Sequence, residues 1–310
     1  MKFKNQIAGL VLVIAALTLF APSLVMAQTY TPEQKQEKID YGKQFDTAWD
    51  LYQALVKEAD GGQALDPANL PDWSGVYKRT RGGTNYDPDQ KRGELPTAVL
   101  KPEAKKEMME RIEMTMKGIQ FDPISTCQSP SVPRWLDMPF LRDFAVLPHQ
   151  TIMIAEAYNS VRRVYTDGRG HLPEEEQFPT YNGDSIGVWD GDKLIMHTNM
   201  LVAHYYERTQ PRYSDQIETV EVWQKVDENT LEADVWAFDP VNLAEPWYTK
   251  QSYTKLDDPE KIFRVMHWAC KGNQNNDVYM TEEGNSNFID FSFTSEDDVA
   301  DEDDKEGEQE

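Results

Sequence analysis

Cysteine is scarce in this chain of 310 residues, which carries only Cys127 and Cys270. With no Cys-x-x-Cys pair, a thiolate metal site or a redox-active dithiol is not supported. An even pair suits one disulfide, a bond that persists in oxidising compartments. Positive charge is scarce as well: 31 Lys and Arg stand against 54 Asp and Glu, a net charge of −23. Nucleic-acid phosphates are held by clustered Lys and Arg, so the balance argues against a nucleic-acid partner. Long apolar runs are also rare. The run from Ile7 to Phe20 is shorter than the roughly 20 residues a helix needs to cross a bilayer. Finally, there is no His-Glu-x-x-His, no Gly-x-Ser-x-Gly elbow and no glycine-rich loop leading into a helix. The sequence therefore points to no cofactor and no metal.

The two ends have characters of their own. Lys2 and Lys4 precede the short apolar run, and Pro22, Val25 and Ala27 follow it in the pattern of a signal-peptidase site. Residues 1–27 read as a signal peptide, so the mature chain is expected in the periplasm or secreted, with no membrane span after cleavage. At the other end, ten of the fifteen residues from Glu296 onward are Asp or Glu. Such a block repels itself and buries nothing, so 295–310 reads as a disordered acidic tail.

Between them, Thr31 to Ala59 places Tyr41, Phe45, Ala48, Trp49, Tyr52, Leu55 and Val56 at three- and four-residue steps, and Gly61-Gly62 ends the stripe. An N-terminal amphipathic helix is expected within 28–62, and a second short helix over Pro102 to Lys117. From His149 the period becomes two. Expected hairpins turn at Tyr158-Asn159-Ser160, at Asp190-Gly191, at Asp227-Glu228-Asn229 and at Leu256-Asp257-Asp258-Pro259. With the stretch from Asp72 to Arg79, about nine strands result. The economical way to hide the edges of such an antiparallel meander is closure into a barrel, here over 63–294. The fold class is mainly β, with both helices packed outside.

Candidate site residues gather around one hairpin. Glu156 alternates with Ile152 and Ile154, which aims it at an apolar face. The turn length decides whether Arg163 or Arg162 stands opposite. Leaving that carboxylate or its arginine alone would cost on the order of 3 kcal/mol if buried. The hairpin delivers Tyr165, Asp167, Arg169 and His171 to a loop made sharp by Gly168 and Gly170. In the alternative, an exported lyase, isomerase or hydrolase, Glu156, Asp167, His171 and Tyr165 would be the acid–base groups. In a binding protein, Arg163 and Arg169 would hold a carboxylate or oxyanion, with Tyr181, Trp189 and His197 completing the ligand's surroundings. Loop side chains such as Arg169 and His171 should cost little stability when removed. Eight Trp and fourteen Tyr, many at period-two positions, suit a small apolar or amphipathic molecule in the barrel interior. The stretch 183–194 reads instead as architecture, because a strand follows its glycines.

One combination of motifs is more specific. Arg163, Tyr165, Asp167, Gly168, Arg169 and His171 are followed by Pro179, Tyr181, Gly183, Ser185, Ile186, Gly187, Trp189, Asp190, Gly191, Asp192 and Leu194. Asp239-Pro240 and Pro246-Trp247 come after. The set resembles a group of exported bacterial proteins, and the likeness extends to the stretch at Asp72 and to Cys127. That group has no settled activity, so the resemblance implies fold and compartment alone. His197 departs from it, since the group usually has Asp before Thr. In outline the barrel is similar to calycins and lipocalins.

Overall fold

The computed structural model describes residues 31–81, 99–120, 122–206, 211–270, 278–280 and 286–288. The proposed signal and the acidic tail lie outside these residues. The fold is mainly β, with a closed barrel of nine strands. In chain order they are β1 Val76–Arg81, β2 Arg142–Leu147, β3 Gln150–Ala155, β4 Ser160–Tyr165, β5 Asp184–Asp190, β6 Lys193–Asn199, β7 Glu218–Asp227, β8 Thr230–Phe238 and β9 Trp247–Lys255. From β2 to β9 each strand pairs with its successor. β1 then pairs with both β9 and β2, so no edge is left.

Closure explains the fate of the last expected hairpin. β9 is occupied on both sides, by β8 and by β1, and has no edge left for a further strand. Residues 256–270 therefore form no strand. They run as a strap to the turn between β3 and β4, where Asn159 bonds both the N–H and the carbonyl of Trp268. The strap ends at the Cys127–Cys270 disulfide, with an S–S distance of 2.02 Å.

The meander is antiparallel with one exception. β4 and β5 run parallel and meet over only two residues, Val164 opposite Ser185 and Tyr165 opposite Ile186. A parallel pair cannot be joined by a tight turn. The chain from 166 to 183 leaves the end of β4 and doubles back beside it, where Asn182 bonds Val161 and Ser160. The β5–β6 hairpin turns on Gly191 and Asp192, with Gly191 at φ 61, a left-handed conformation that favours glycine.

The barrel has two apolar faces. Inside, Trp73, Phe144, Trp189, Trp223 and Tyr253 are each at most 1% exposed, and Trp223 stacks on Tyr253 with centroids 5.4 Å apart. Outside, β5 to β8 present Ile186, Ile195, Val220 and Trp236. The expected single N-terminal helix is two helices that cover this outer face: α1 Pro32–Gly42 and α2 Ala48–Glu58. One local signal and one distant contact mark the break. Thr47 accepts from the N–H of Asp50, a second helix start. Gly42 lies so close to Trp236 that a Cβ there would come within 2.5 Å of the ring. α2 buries Ala48, Leu51 and Tyr52; complete burial of Leu51 alone is worth about 2 kcal/mol. The third helix, α3, spans Pro102–Met116 as expected.

A buried histidine gives the fold an acid limit. His204 is 2% exposed, and burial pushes its imidazole down to about 4. The unfolded chain binds this proton near pH 6.5, and the folded chain only near 4. His204 therefore stabilises the fold fully above about pH 6.5, and the contribution is lost as pH falls toward 4. The loss amounts to about 3 kcal/mol. Urea unfolding at pH 7 and pH 4 should show this fall, and His204→Phe should reduce it. An unchanged fall in the variant would assign the acid limit elsewhere.

Candidate functional site

Period two separates the two neighbouring arginines of β4. Arg162 points inward and is fully buried, whereas Arg163 points outward and is exposed. Within the barrel, Arg162 makes a bidentate pair with Glu221 at 3.0 and 2.6 Å. Its remaining N–H groups reach Thr198 and Ser185. Glu221 also accepts from Thr219 and from the Trp223 indole. Every formal charge in this network has a partner, which is what a buried pair requires.

This arrangement corrects the expected partnership of Glu156. The turn between β3 and β4 takes four residues, 156–159, so Met153 faces Arg162 and Ile152 faces Arg163. Glu156 falls in the turn, half-buried, where a carboxylate oxygen lies 3.4 Å from the Leu141 N–H. It sits at the opposite end of β4 from Asp167, about 20 Å away at the rise of a strand. The signal for the true partner lay in β7: Glu221 alternates with Thr219 and Trp223, which places it on the inner face.

The other expected residues mostly converge on the outer wall. A groove of about 490 Å³ runs between β4 and the 166–183 loop. Arg163, Tyr165, Arg169, His171 and Asp184 line it, together with the apolar Val161, Leu172, Phe178 and Met200. Arg169 lies over the Tyr165 ring at 4.1 Å and pairs with Asp167 at 2.6 Å. That pairing holds the Asp167 carboxyl down at about 2. Arg163 has no carboxylate partner among the described residues, only a 3.4 Å contact with Gln150. Asp167 and His197 are not in the lining but adjoin it through Arg169 and His171, and two further expected residues lie elsewhere. Trp189 faces the interior against Trp73, at 5.1 Å, and Tyr181 is not among the groove's lining.

Behind the groove stands a chain of four titratable groups. His171 Nδ1 lies 2.8 Å from Asp184, and its Nε2 lies 2.7 Å from Nδ1 of His197. His197 Nε2 in turn lies 3.1 Å from Glu218. Burial pushes the His197 imidazole below its ordinary range, against the opposing pull of Glu218. Burial alone would raise Asp184, but the bonds from His171 and from the Leu172 N–H outweigh it and hold the carboxyl low. Both nitrogens of His171 are thus engaged within the protein. Trp49 and Tyr52 of α2 cover the pair, with ring centroids 5.3 and 5.7 Å from His197. Beyond Glu218 lies a second cavity of about 590 Å³, which Trp49 also lines.

No group of three or more His, Cys, Asp or Glu among the described residues is arranged to hold a metal, and no described helix is long and apolar enough to cross a membrane. No protein-family model matches the chain, and no curated protein matches it. Among solved structures it is similar to a mutant of the fluorescent protein UnaG, with a TM-score of 0.28 and 12% identity, over 60% of this chain and 97% of that one. So distant a likeness carries no function across. What the chain's own structure defines is a closed nine-strand β-barrel with a helix-covered wall and a basic, partly apolar groove.

Proposed function

We propose that the chain is an exported binding protein for a small amphipathic molecule that bears a carboxylate or similar anionic head. The site is the outer groove. The observation that carries this reading is Arg163, an exposed guanidinium without a carboxylate partner among the described residues, set beside Val161, Phe178 and Met200. The head would bond Arg163, with Arg169 and His171 near it, while the apolar body covers the groove wall. The interior, where the sequence places the ligand, is occupied by the barrel's own aromatic side chains. The disulfide supports an oxidising compartment, and the sequence pattern of residues 1–27 supports export.

The acid–base reading is weaker. Glu156 lies far from the loop, and His171 has no ring nitrogen free to take a substrate proton. Incubation of the mature protein with a metabolite extract should therefore yield retained rather than consumed molecules. With decanoate as a probe, calorimetry should give measurable binding, weakened about tenfold in Arg163→Ala, the worth of one charge-assisted bond. Equal affinity for decanol, or an unchanged constant in the variant, would overturn the assignment of the anionic head.

A further inference from the structure

The Asp184–His171–His197–Glu218 chain has a property that concerns protons rather than ligands. Three close contacts join the four groups, and each needs one hydrogen between its heavy atoms. Ionised carboxylates bring none, so the two rings must supply three. One ring is then neutral and the other an imidazolium. With two hydrogens, one contact becomes lone pair against lone pair. With four, two N–H groups oppose each other across 2.7 Å. His197 is 2% exposed, so water cannot repair a mismatch between the two rings, whereas one at the far end would face the partly exposed Glu218.

The same rings are a docking surface for α2. Trp49 packs on both histidines, at 5.9 Å from His171 and 5.3 Å from His197, and Tyr52 packs on His197. The ends of the chain reach two different cavities, Asp184 and His171 the groove, Glu218 the cavity beside Trp49. We propose that these four residues form a one-proton latch that holds α2 on the barrel wall, closed while the two rings carry three protons and released when a proton is removed or added. The inference does not depend on what the groove binds.

The charged and titratable groups around the pair act in both directions. On the groove side, Arg163 of β4 and Arg169 of the loop share the lining with His171. On the far side, Asp46, Lys101, Asp239 and Glu245 share a cavity with Glu218. From α2, Tyr52 is the phenol in contact; burial pushes it up to about 12, outside the working range. Asp50 of the same helix is turned to its cap, bonding Thr47.

Hydrogen–deuterium exchange of the full mature protein, corrected for intrinsic rates, tests the latch. Protection of peptides over 48–58 should pass through a maximum between pH 5 and 8 and fall about tenfold on both sides, the effect of one buried unmatched contact. Peptides over β8 should not follow. His171→Gln, which carries no titrating ring, should flatten the α2 profile between pH 5 and 8. Should that variant fail to fold, Glu218→Gln serves instead, because Glu218 is partly exposed. Its amide still accepts from His197 but no longer holds the charge, so the alkaline limb should move to lower pH. A flat wild-type profile, a bell retained in His171→Gln, or an unmoved alkaline limb in Glu218→Gln would each overturn the proposal.

Discussion

Glu221→Ala should destabilise the protein by about 3–5 kcal/mol, because it leaves the Arg162 guanidinium charged and unpaired in the middle of the barrel. Both side chains of the pair are wholly buried. The loss also strips acceptors from the Trp223 indole and from Thr219. Urea unfolding would read this as a large drop in midpoint. The double variant Arg162→Met/Glu221→Leu should recover most of the loss, because replacing both charges removes the desolvation cost along with the attraction. Glu156→Ala is the internal control. The alternation in β3 assigns it the heavy penalty, but in the structure it gives up a long contact to Leu141 and a Coulombic attraction to the buried Arg142, and it should cost less than the loss of Glu221. A severe Glu156→Ala beside a mild Glu221→Ala would contradict the register described here.

The second large effect belongs to the disulfide. Cys127 and Cys270 are 143 residues apart. For a loop of that size the chain-entropy model gives about 5 kcal/mol, and removal of native bonds commonly costs about 2–5. Cys127→Ala/Cys270→Ala should fall in this range and should also loosen the strap that carries Trp268, which stacks on Tyr158 and packs edge-on against Phe140. Unfolding curves with and without reductant check it. Coincident curves for oxidised wild type and double variant would show that the strap holds without its bond.

Much of the fold was legible because it is written in short-range pattern. Alternation located the strands, and turn residues such as Gly191 bounded them. The scarcity of cysteine left one pairing, which the structure contains. Three features were not legible. The close approach of Gly42, at the end of α1, to Trp236 is a contact between residues nearly two hundred positions apart. The strap over 256–270 is strand-like in composition, and only barrel closure by β1 denies it an edge. The third is Arg162 and Glu221, whose partnership requires knowing that β4 and β7 face each other across the interior.

The candidate site divides along the same line. Tyr165, Asp167, Arg169 and His171 are close in sequence, so their gathering around one loop could be read directly. His171 was expected to be a free loop side chain, and its tie to His197 could not be foreseen, because the two come together only when the 166–183 loop folds back over β5 and β6. Asp184 and Glu218 escaped notice for the same reason. Each looks like an ordinary strand-end acid until His171 meets Asp184 and His197 meets Glu218.

A ligand held on the outer wall at Arg163, as proposed, leaves the barrel interior closed. Amide chemical-shift mapping of ¹⁵N-labelled mature protein, titrated with decanoate, tests it most directly. Shifts should concentrate at residues 161–172 and 178–184, with little change at Phe144, Trp223 and Tyr253. Shifts centred on those three interior residues, with the groove silent, would contradict it.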